Sequence, residues 1–535
     1  MKKIIGVLMA ASLVMSSLAG CGNSKNAQSG AKASNEKLSF RVTTVSFGEN
    51  PTGKPAETAW LKKCEELMGR KLDITFQYID KQDYAEKFKI MLSSNDLPDI
   101  VTNWGLSQDE LCKYGEQGVF VDLSKNLDKM PNYKKLIDAA PASKTAIYSK
   151  AGNLYGEYFV KTNSLSYDGG REMGTALGIR KDVFDKNGIA MPTTIDELYQ
   201  AAVKLKAMNP KKYPMFQMEE WQNPLRLLYN TNHVSDDKYY NGSKYAYGPL
   251  QEGYKDALVE MNRWYAAGLI SPDYFTQTQA NGNATLAAGD GIILPAMWDG
   301  YPAQWETKYP NQKWVLVSGI KNPKYGAPWT HYTYTTDKVS ISNAWCLCVN
   351  SRSKNVDDMI KFLDYQLSDD VSDIVNWGIK GETYTVGSDQ SKKYTDAILK
   401  DVSGSLSKYG IGTGTCRSGV FPQIQDALSF VQQESAQNNL ADGKAVRAKP
   451  SVLKRDYMKN KDEEEPMAVV TPLTAEETEQ YAEIMTPINT YASEQATKFI
   501  KGQRPFSEWN KFIGELNAMG DIQKAMDIYN KHITK

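Results

Sequence analysis

The chain has 535 residues with 63 basic and 63 acidic side chains, so its formal net charge is zero at neutral pH. This balance excludes the basic excess that marks nucleic-acid-binding proteins, and no nucleic-acid partner is expected. About 500 residues follow the N-terminal segment, which is more than one hydrophobic core normally organises. At least two domains are therefore expected.

The first 20 residues have the pattern of a secretory signal peptide. Lys2 and Lys3 precede an apolar run that ends at Gly20, just before Cys21. The run is too short for a permanent membrane span of roughly 20 residues. Leu-Ala-Gly-Cys, ending at Cys21, resembles the bacterial lipobox, in which the cysteine is diacylated and the chain is cut before it. The alternative is an ordinary secretory peptide with an incidental cysteine.

The segment 21–37 is predicted to be a flexible tether. Residues 22–37 contain no large apolar side chain and cannot bury enough surface to offset the entropy of ordering. With two acyl chains on Cys21, the tether would hold the folded body at the outer face of the cytoplasmic membrane. The lipid anchor would then be the only membrane contact.

The folded part opens with alternating strands and helices. Strands are predicted at residues 38–42, 72–78 and 99–102, with helices at 58–67 and 84–92 between them. This alternation is typical of a parallel α/β sheet, in which ligands bind beyond the carboxyl ends of the strands. Asn103 and Trp104 directly follow the third strand and are candidates for ligand contact.

Three further elements follow along the chain. Thr194 and Glu197 form a predicted capping box, in which each side chain accepts from the other's backbone N–H, before a helix at 195–208. A buried strand at 291–300 has Trp298 near its end, and Trp509 is predicted to be a core residue of a C-terminal helix. The charged segment 454–466 is predicted to be a solvated loop or a frayed helix.

The cysteines and histidines are too few and too scattered for a metal or catalytic site. Cys346 and Cys348 are one residue apart on a predicted strand and are interpreted as two small buried hydrophobes. The chain has three histidines, none near another in sequence. No metal and no cofactor are expected.

Six segments of the chain carry a resemblance to a known family. They are Ser-Ser-Asn-Asp-Leu-Pro-Asp-Ile (93–100), Tyr-Gly-Glu-Gln-Gly-Val-Phe-Val-Asp-Leu (114–123), Gly-Asn-Leu-Tyr-Gly (152–156), Leu-Gly-Ile-Arg-Lys-Asp (177–182), Asn-Trp-Gly-Ile-Lys-Gly-Glu-Thr-Tyr (376–384) and Phe-Ile-Lys-Gly (499–502). In this order, behind a lipobox, they resemble the family 1 extracellular solute-binding proteins. These proteins are the capture subunits of ABC importers for carbohydrates.

The resemblance implies an α/β, two-lobed periplasmic-binding-protein-like fold with discontinuous lobes joined by a hinge. We expect the first part of the N-terminal lobe at 38–165 and the main part of the second lobe at 166–340. Residues 341–535 would return to both lobes and supply C-terminal helices. A monomer would close over an oligosaccharide and present it to the permease subunits of the importer.

Some members of the family carry a calcium loop after the helix that corresponds to 194–208. Here the loop reads Asn-Pro-Lys-Lys-Tyr-Pro (209–214) and has no series of carboxylates to bind a hard cation. No calcium is therefore expected at this loop.

The candidate ligand residues are chosen for sugar chemistry. Sugar rings offer C–H faces that stack on indoles and hydroxyl edges that pair with planar polar groups. The stacking candidates are Trp104, Trp298, Trp377, Trp345 and Trp221, and core packing is the competing interpretation for each. The polar candidates are Arg171, Arg180, Glu382, Asn103 and Tyr155, where ion pairing or an exposed loop charge competes for the charged ones.

Two other function classes remain open from sequence. A lipoprotein of the same fold that binds peptides or acts as a sensor is the first alternative. A surface glycoside hydrolase is the second, but it requires two carboxylates across the bond, and no pattern singles out such a pair. No nucleophile elbow or zinc-protease motif is present. The chain is therefore not expected to be an enzyme.

Overall fold

The computed structural model of the protein describes residues 37–534 apart from 47–50, 164–170, 174, 299–300, 318, 331, 335–337, 401, 412–423, 427, 430–431, 433–462, 465 and 467. The predicted signal peptide (1–20), Cys21 and most of the predicted tether lie outside these residues. None of the helices in the described part of the chain combines the length and apolar character needed to cross a bilayer.

The strands, in chain order, are β1 (Leu38–Ser46), β2 (Leu72–Asp80), β3 (Ile100–Asn103), β4 (Glu157–Thr162), β5 (Arg171–Met173), β6 (Thr175–Arg180), β7 (Lys238–Tyr240), β8 (Tyr245–Tyr247), β9 (Ile293–Trp298), β10 (Trp314–Val317), β11 (Trp329–Thr330), β12 (Tyr332–Tyr334), β13 (Ser340–Val349), β14 (Tyr384–Val386), β15 (Lys392–Tyr394), β16 (Ile424–Asp426), β17 (Glu463–Glu464), β18 (Val469–Val470) and β19 (Ile533–Thr534).

The helices are α1 (Pro55–Met68), α2 (Lys81–Ser94), α3 (Gln108–Glu116), α4 (Pro131–Asp138), α5 (Lys144–Ile147), α6 (Lys181–Lys186), α7 (Ile195–Met208), α8 (Pro224–Thr231), α9 (Glu252–Ala266), α10 (Gln279–Ala287), α11 (Tyr301–Lys308), α12 (Val356–Gln366), α13 (Asp369–Trp377), α14 (Asp396–Leu399), α15 (Val402–Tyr409), α16 (Ala475–Ile500), α17 (Trp509–Met519) and α18 (Ile522–Asn530). Short 3-10 turns connect several of them.

The first lobe is built on a six-stranded mixed sheet in the order β16-β4-β13-β3-β1-β2. β1 pairs in parallel with β2 and with β3, and α1 and α2 connect these strands. The predicted strand–helix alternation at the start of the folded chain is therefore confirmed. β13 returns from far along the chain and pairs antiparallel with β3 and β4.

The second lobe is built on a smaller antiparallel sheet in the order β10-β6-β9. Its core combines residues from 177–320 with residues from 485–526, so α16, α17 and α18 pack into it. The first core combines residues from 38–160 with residues from 341–424. Each lobe is thus assembled from separate stretches of the chain, and the predicted two-lobed α/β fold is confirmed.

Two segments that pass between the lobes run side by side. β5 leads from the first lobe into β6 of the second, and β12 leads back toward β13. They pair antiparallel, with Arg171 opposite Tyr334 and Met173 opposite Tyr332. This two-stranded ribbon connects the lobes, and Arg171 is the first residue of its β5 strand.

Two local predictions need correction. Thr194 accepts from the Glu197 N–H at the start of α7, as a capping residue should, but the Glu197 carboxylate accepts from the N–H and hydroxyl of Thr193 instead of Thr194. Within the charged segment 454–466, predicted to be a solvated loop or a frayed helix, Glu463 and Glu464 form a strand parallel to β11, and residues 454–462 lie outside the described part of the chain. Backbone pairing with Trp329 and Thr330 decides that conformation.

Trp509 and the cysteine pair follow prediction. Trp509 is 8% exposed and belongs to the second core. Cys346 and Cys348 are fully buried with their sulfur atoms 3.7 Å apart, and burial raises the pKa of the Cys346 thiol well above its usual value. Both act as small core side chains.

Candidate functional site

The two lobes contact each other through charged and amide side chains. Nζ of Lys81, the first residue of α2 in the first lobe, lies 2.8 Å from Oε2 of Glu219 in the second. Next to it, Nε2 of Gln82 lies 3.4 Å from Oε1 of Gln279, the first residue of α10. Lys81, Gln82, Glu219 and Gln279 are called the interlobe contact below.

Glu219 is the centre of the interlobe contact. Its Oε2 also accepts from Nε1 of Trp221 at 3.1 Å, and its Oε1 accepts from Nε2 of Gln279 at 2.9 Å. The Trp221 side chain is partly exposed. Since Trp221 and Lys81 share one carboxylate oxygen, the indole lies at the boundary between the lobes.

The turn before α8 presents Glu219 and Trp221. The side-chain oxygen of Gln222 accepts from the backbone N–H groups of Met218 and Glu219, at 2.9 and 3.0 Å. Asn223 then caps α8 by accepting from the Leu225 N–H at 2.7 Å. These bonds leave the turn little freedom, so the carboxylate and the indole are held in place before any ligand arrives.

A second region of contact between the lobes involves the C-terminal helices. Asp109 on α3 accepts from the Leu473 backbone N–H and from the Tyr529 hydroxyl, both at 2.8 Å. Lys113 on the same helix pairs with Glu479 on α16 at 3.2 Å. The C-terminal helices therefore belong to the second core and also dock on the first lobe.

Sequence reasoning missed an aromatic cluster on the second lobe. The Trp329 ring on β11 stacks on the His233 imidazole, with centroids 4.5 Å apart and planes 3° from parallel. Tyr239 and Tyr325 pack against this pair, and all four side chains are partly exposed. Trp329 lies three residues before Tyr332 of the connecting ribbon. The closely spaced Tyr and Trp residues between 325 and 334 were the available signal in the sequence.

Trp345 on β13 stacks on Phe159 of β4. Their ring centroids are 5.0 Å apart with planes at 22°, and the two side chains are 5% and 6% exposed. Neither ring belongs to the main core cluster of the first lobe. Trp104, which follows β3, is half-buried and packs against that core.

Several predicted ligand residues are instead occupied by internal contacts. Trp377 is 1% exposed, packs between Tyr384 and Tyr394, and donates from Nε1 to Oδ2 of Asp426 at 2.9 Å. Its ring has no free face for a sugar. The loop that follows leaves Glu382 exposed, as the competing interpretation of a loop charge expected.

Arg180 is held within the second lobe. Its Nε and Nη2 form a paired contact with the carboxylate of Asp182, at 2.8 and 2.7 Å, and the residue is 7% exposed. Burial tends to raise the pKa of Asp182, but the bonds from Arg180 and from the Lys313 N–H outweigh it and lower that pKa. Asp182 thereby links Arg180, at the end of β6, to the Lys313 N–H just before β10, and the guanidinium has little capacity left for a ligand.

Asn103 and Tyr155 also serve the first lobe. The Asn103 amide bonds to both the N–H and the carbonyl of Leu106 and so forms the turn after β3. Tyr155 is 4% exposed, lies flat against Gly115 of α3 and accepts from Asn153 at 2.9 Å. Arg171 and Trp298 are placed by their backbones alone, at the ends of β5 and β9.

The loop at 209–214 is tied by lysines. Nζ of Lys206 donates to the Lys212 carbonyl at 3.0 Å and lies 4.4 Å from the centroid of the Tyr213 ring, while Lys212 pairs with Asp290. Across the described residues, no cluster of three or more acidic, histidine or cysteine side chains could hold a metal ion.

The sequence of the chain is similar to those of known proteins. Residues 52–373 match the sequence model of a family described as bacterial extracellular solute-binding protein. A fructooligosaccharide ABC transporter substrate-binding protein, FusA of Streptococcus pneumoniae, is 24% identical over 96% of this chain and 94% of its own. A polygalacturonan/rhamnogalacturonan-binding protein, YtcQ of Bacillus subtilis, is 21% identical over 72% of this chain and 74% of its own.

Solved structures share the fold. The alginate-binding protein AlgQ2 without calcium ion superposes with a TM-score of 0.68, at 20% identity, over 94% of this chain and 99% of that one. S. pneumoniae FusA in complex with kestose gives 0.65, also at 20% identity, over 92% of this chain and 98% of that one.

Proposed function

This chain belongs to the bacterial extracellular solute-binding proteins, and we propose that it captures an oligosaccharide between its two lobes for an ABC importer. Members of this family bind solutes for transporters and are not enzymes, so the prediction of a non-enzymatic function is confirmed. A glycoside hydrolase is excluded on the same ground.

The observation that carries the proposal is the shared carboxylate of Glu219. One of its oxygen atoms binds Lys81 of the first lobe and the indole of Trp221 in the second. A partly exposed indole at the boundary of two lobes offers the flat apolar face on which a sugar ring stacks. A ligand that touches both lobes favours the closed state because it gains its full set of contacts only there.

The names of the relatives support a carbohydrate as the ligand class. FusA is named for fructooligosaccharides, YtcQ for polygalacturonan and rhamnogalacturonan, and AlgQ2 for alginate. These ligands are chains of sugar units, some neutral and some acidic. We therefore propose an oligosaccharide as the ligand class, and the binding experiment distinguishes neutral from acidic oligosaccharides.

The proposal includes a lipid anchor and a transporter partner. Cys21 would carry the lipid, and residues 22–37 would hold the monomeric body near the outer face of the membrane. A lipoprotein of B. subtilis, LipO, is 24% identical over 70% of this chain and 73% of its own, which supports this arrangement. Anchoring keeps the binding body concentrated beside its permease subunits.

The test is a titration of the mature body, from residue 22 onward, with three sets of ligands. Binding is measured by the change in tryptophan fluorescence. The sets are fructooligosaccharides such as kestose, oligogalacturonides and short peptides. We expect saturable binding of one sugar set, one molecule per chain, with no cleavage of the sugar after long incubation. Binding of peptides alone would replace the proposal with the peptide-binding alternative, and turnover would contradict it.

The anchor is tested separately. Expression of the full chain in a bacterium with lipoprotein processing is expected to give a membrane-bound product that incorporates labelled palmitate. The Cys21→Ser variant should lose the label and appear in the soluble fraction. Label retained in the variant would contradict lipidation at Cys21.

A further inference from the structure

A cavity of about 280 Å³ opens in the second lobe. Its wall includes the loop at 209–214, the segment 215–217, Tyr274 and α10. We propose that this cavity binds a single sugar ring as a second ligand site, in addition to the oligosaccharide between the lobes.

The volume matches one ring. Pockets for drug-sized ligands span about 300–1,000 Å³, so this cavity lies just below that range. A chain of several sugar units does not fit in it. One hexose ring does fit. If that ring were the terminal unit of a longer sugar chain, the remaining units would lie in solvent.

The lining has the two surfaces that a sugar needs. Tyr213, Phe216 and Tyr274 supply aromatic carbon, and Gln217, Gln277 and Thr285 supply amide and hydroxyl groups. Aromatic faces stack on sugar C–H groups, and planar polar groups pair with hydroxyls.

Three charged side chains line the cavity: Lys211, Lys212 and Asp290. Lys212 and Asp290 pair with each other and their charges cancel, so Lys211 adds one positive charge, which does not repel an uncharged sugar. Lys206 holds the Tyr213 ring from one side, with Nζ 4.4 Å from its centroid. The ring is thereby fixed in position, which reduces the entropy that a stacking ligand would have to offset.

Gln217 provides an independent sign of a missing partner. The residue is 8% exposed, and its side-chain carbonyl oxygen accepts no hydrogen bond from any described residue. A buried polar group without a partner costs stability, on the order of 1–3 kcal/mol. Pairing with a ligand hydroxyl after a small side-chain adjustment would satisfy it.

The cavity and the interlobe contact share two elements of the chain. Gln217 lies two residues before Glu219, and Gln277 lies two residues before Gln279. A ring bound in the cavity would order both segments and so stabilise the side chains that meet Lys81 and Gln82. Occupation of the cavity would therefore strengthen closure of the lobes.

The experiment uses the mature body and a panel of free hexoses: glucose, fructose, galactose and mannose. Saturation-transfer NMR and calorimetry should show millimolar binding of at least one hexose. Two variants, Thr285→Phe on α10 and Gln277→Phe, place a larger side chain in the cavity from partly exposed lining positions. Each should weaken hexose binding by about tenfold or more, while oligosaccharide binding between the lobes persists.

A conservative variant keeps the test decisive if a filled cavity disturbs the fold. Gln217→Met retains the shape of the side chain but removes the amide, so it should abolish hexose binding while thermal stability stays equal or rises. Hexose binding unchanged in all three variants would overturn the proposal, as would no binding of any hexose to the unmodified protein. If the unmodified protein bound no oligosaccharide, that result would instead count against the proposed function.

Discussion

Nζ of Lys81 lies 2.8 Å from Oε2 of Glu219, and this ion pair joins α2 of the first lobe to the turn before α8 of the second. The two side chains are 22% and 19% exposed, so water screens the pair less than it screens an exposed surface pair. Because Trp221 donates to the same oxygen, closing the lobes and orienting the indole depend on one carboxylate.

Replacing Lys81 should open the free protein. The pair stabilises the closed arrangement by about 1 kcal/mol, which is roughly fivefold in the ratio of closed to open molecules. Lys81→Met should therefore increase the radius of gyration measured by X-ray scattering and weaken oligosaccharide binding severalfold. Lys87→Met is the matched control, since Lys87 pairs with Asp83 on its own helix at 3.1 Å. Equal scattering curves for the Lys81 and Lys87 variants would contradict this role.

Trp221→Phe tests the indole at the boundary between the lobes. The phenyl ring keeps an aromatic face but loses the N–H that Glu219 accepts, so binding should weaken by about 1 kcal/mol. Trp221→Ala should weaken it further. Trp264→Phe is the control, because Trp264 donates to Glu260 at 2.6 Å but is fully buried in the second core. That variant should lower thermal stability and leave the binding constant unchanged; the reverse pattern would refute the assignment.

Trp377→Phe should act on stability alone. Loss of the indole N–H leaves the buried Oδ2 of Asp426 without this donor, at a cost of about 1–3 kcal/mol. Urea unfolding should show a lower midpoint with an unchanged slope, and oligosaccharide affinity should match that of the unmodified protein. A drop in affinity as large as that of Trp221→Phe would return Trp377 to the list of ligand residues.

Glu157 makes stability decrease as the pH rises. Its carboxyl is fully buried without a hydrogen-bond partner among the described residues, and burial followed by the nearby Asp364 raises its pKa well above 4.5. The unfolded chain releases this proton near pH 4.5 while the folded chain retains it, so stability is lost above that pH. Glu157→Gln should therefore melt at a higher temperature than the unmodified protein at pH 7.

The stabilisation by Glu157→Gln should disappear near pH 4, where the carboxyl is protonated in both states. Thermal melts at half-unit steps from pH 4 to pH 8 measure it. Glu86→Gln, at an exposed position on α2, is the control and should show no such trend. A Glu157 variant less stable than the unmodified protein at pH 7 would show that the carboxyl is paired.

Glu477 has the opposite effect at low pH. Partial burial acts to raise its pKa, but bonds from the Thr474 N–H and from His532 outweigh it and lower the pKa to about 2. Its contribution to stability is present above its unfolded pKa of about 4.5 and is lost as the pH falls toward 2. Melts of the unmodified protein should therefore show a decrease over this interval that Glu477→Gln reduces. An identical pH dependence in the variant would contradict the assignment.

Local pattern was sufficient for the elements that depend on neighbours in the chain. Apolar spacing placed β1, α1, β2 and α2 because each buries one face, and a short apolar run placed β3, which is buried throughout. Trp509 was recognised as core for the same reason, since its apolar helix face has one place to pack.

Pattern does not show which polar groups already have a partner. The indole N–H of Trp377 is taken by Asp426, 49 residues further along the chain, and the guanidinium of Arg180 is taken by Asp182, two residues away. The pairing of Lys81 with Glu219 spans 138 residues and leaves no local trace in the sequence.

The sequence by itself predicted a secretion signal and a tether, and it determined the α/β character of the folded body; the two-lobed arrangement came from the resemblance to the solute-binding proteins. Composition and periodicity carry the α/β information because they reflect burial, which each element satisfies largely on its own. Only the tertiary structure decided which aromatic and charged side chains remain available to bind a ligand. Burial and hydrogen bonds occupy Trp377, Arg180 and Asn103, whether the partner is near or far in the chain. Trp221 stays partly exposed beside Glu219, where the lobes meet.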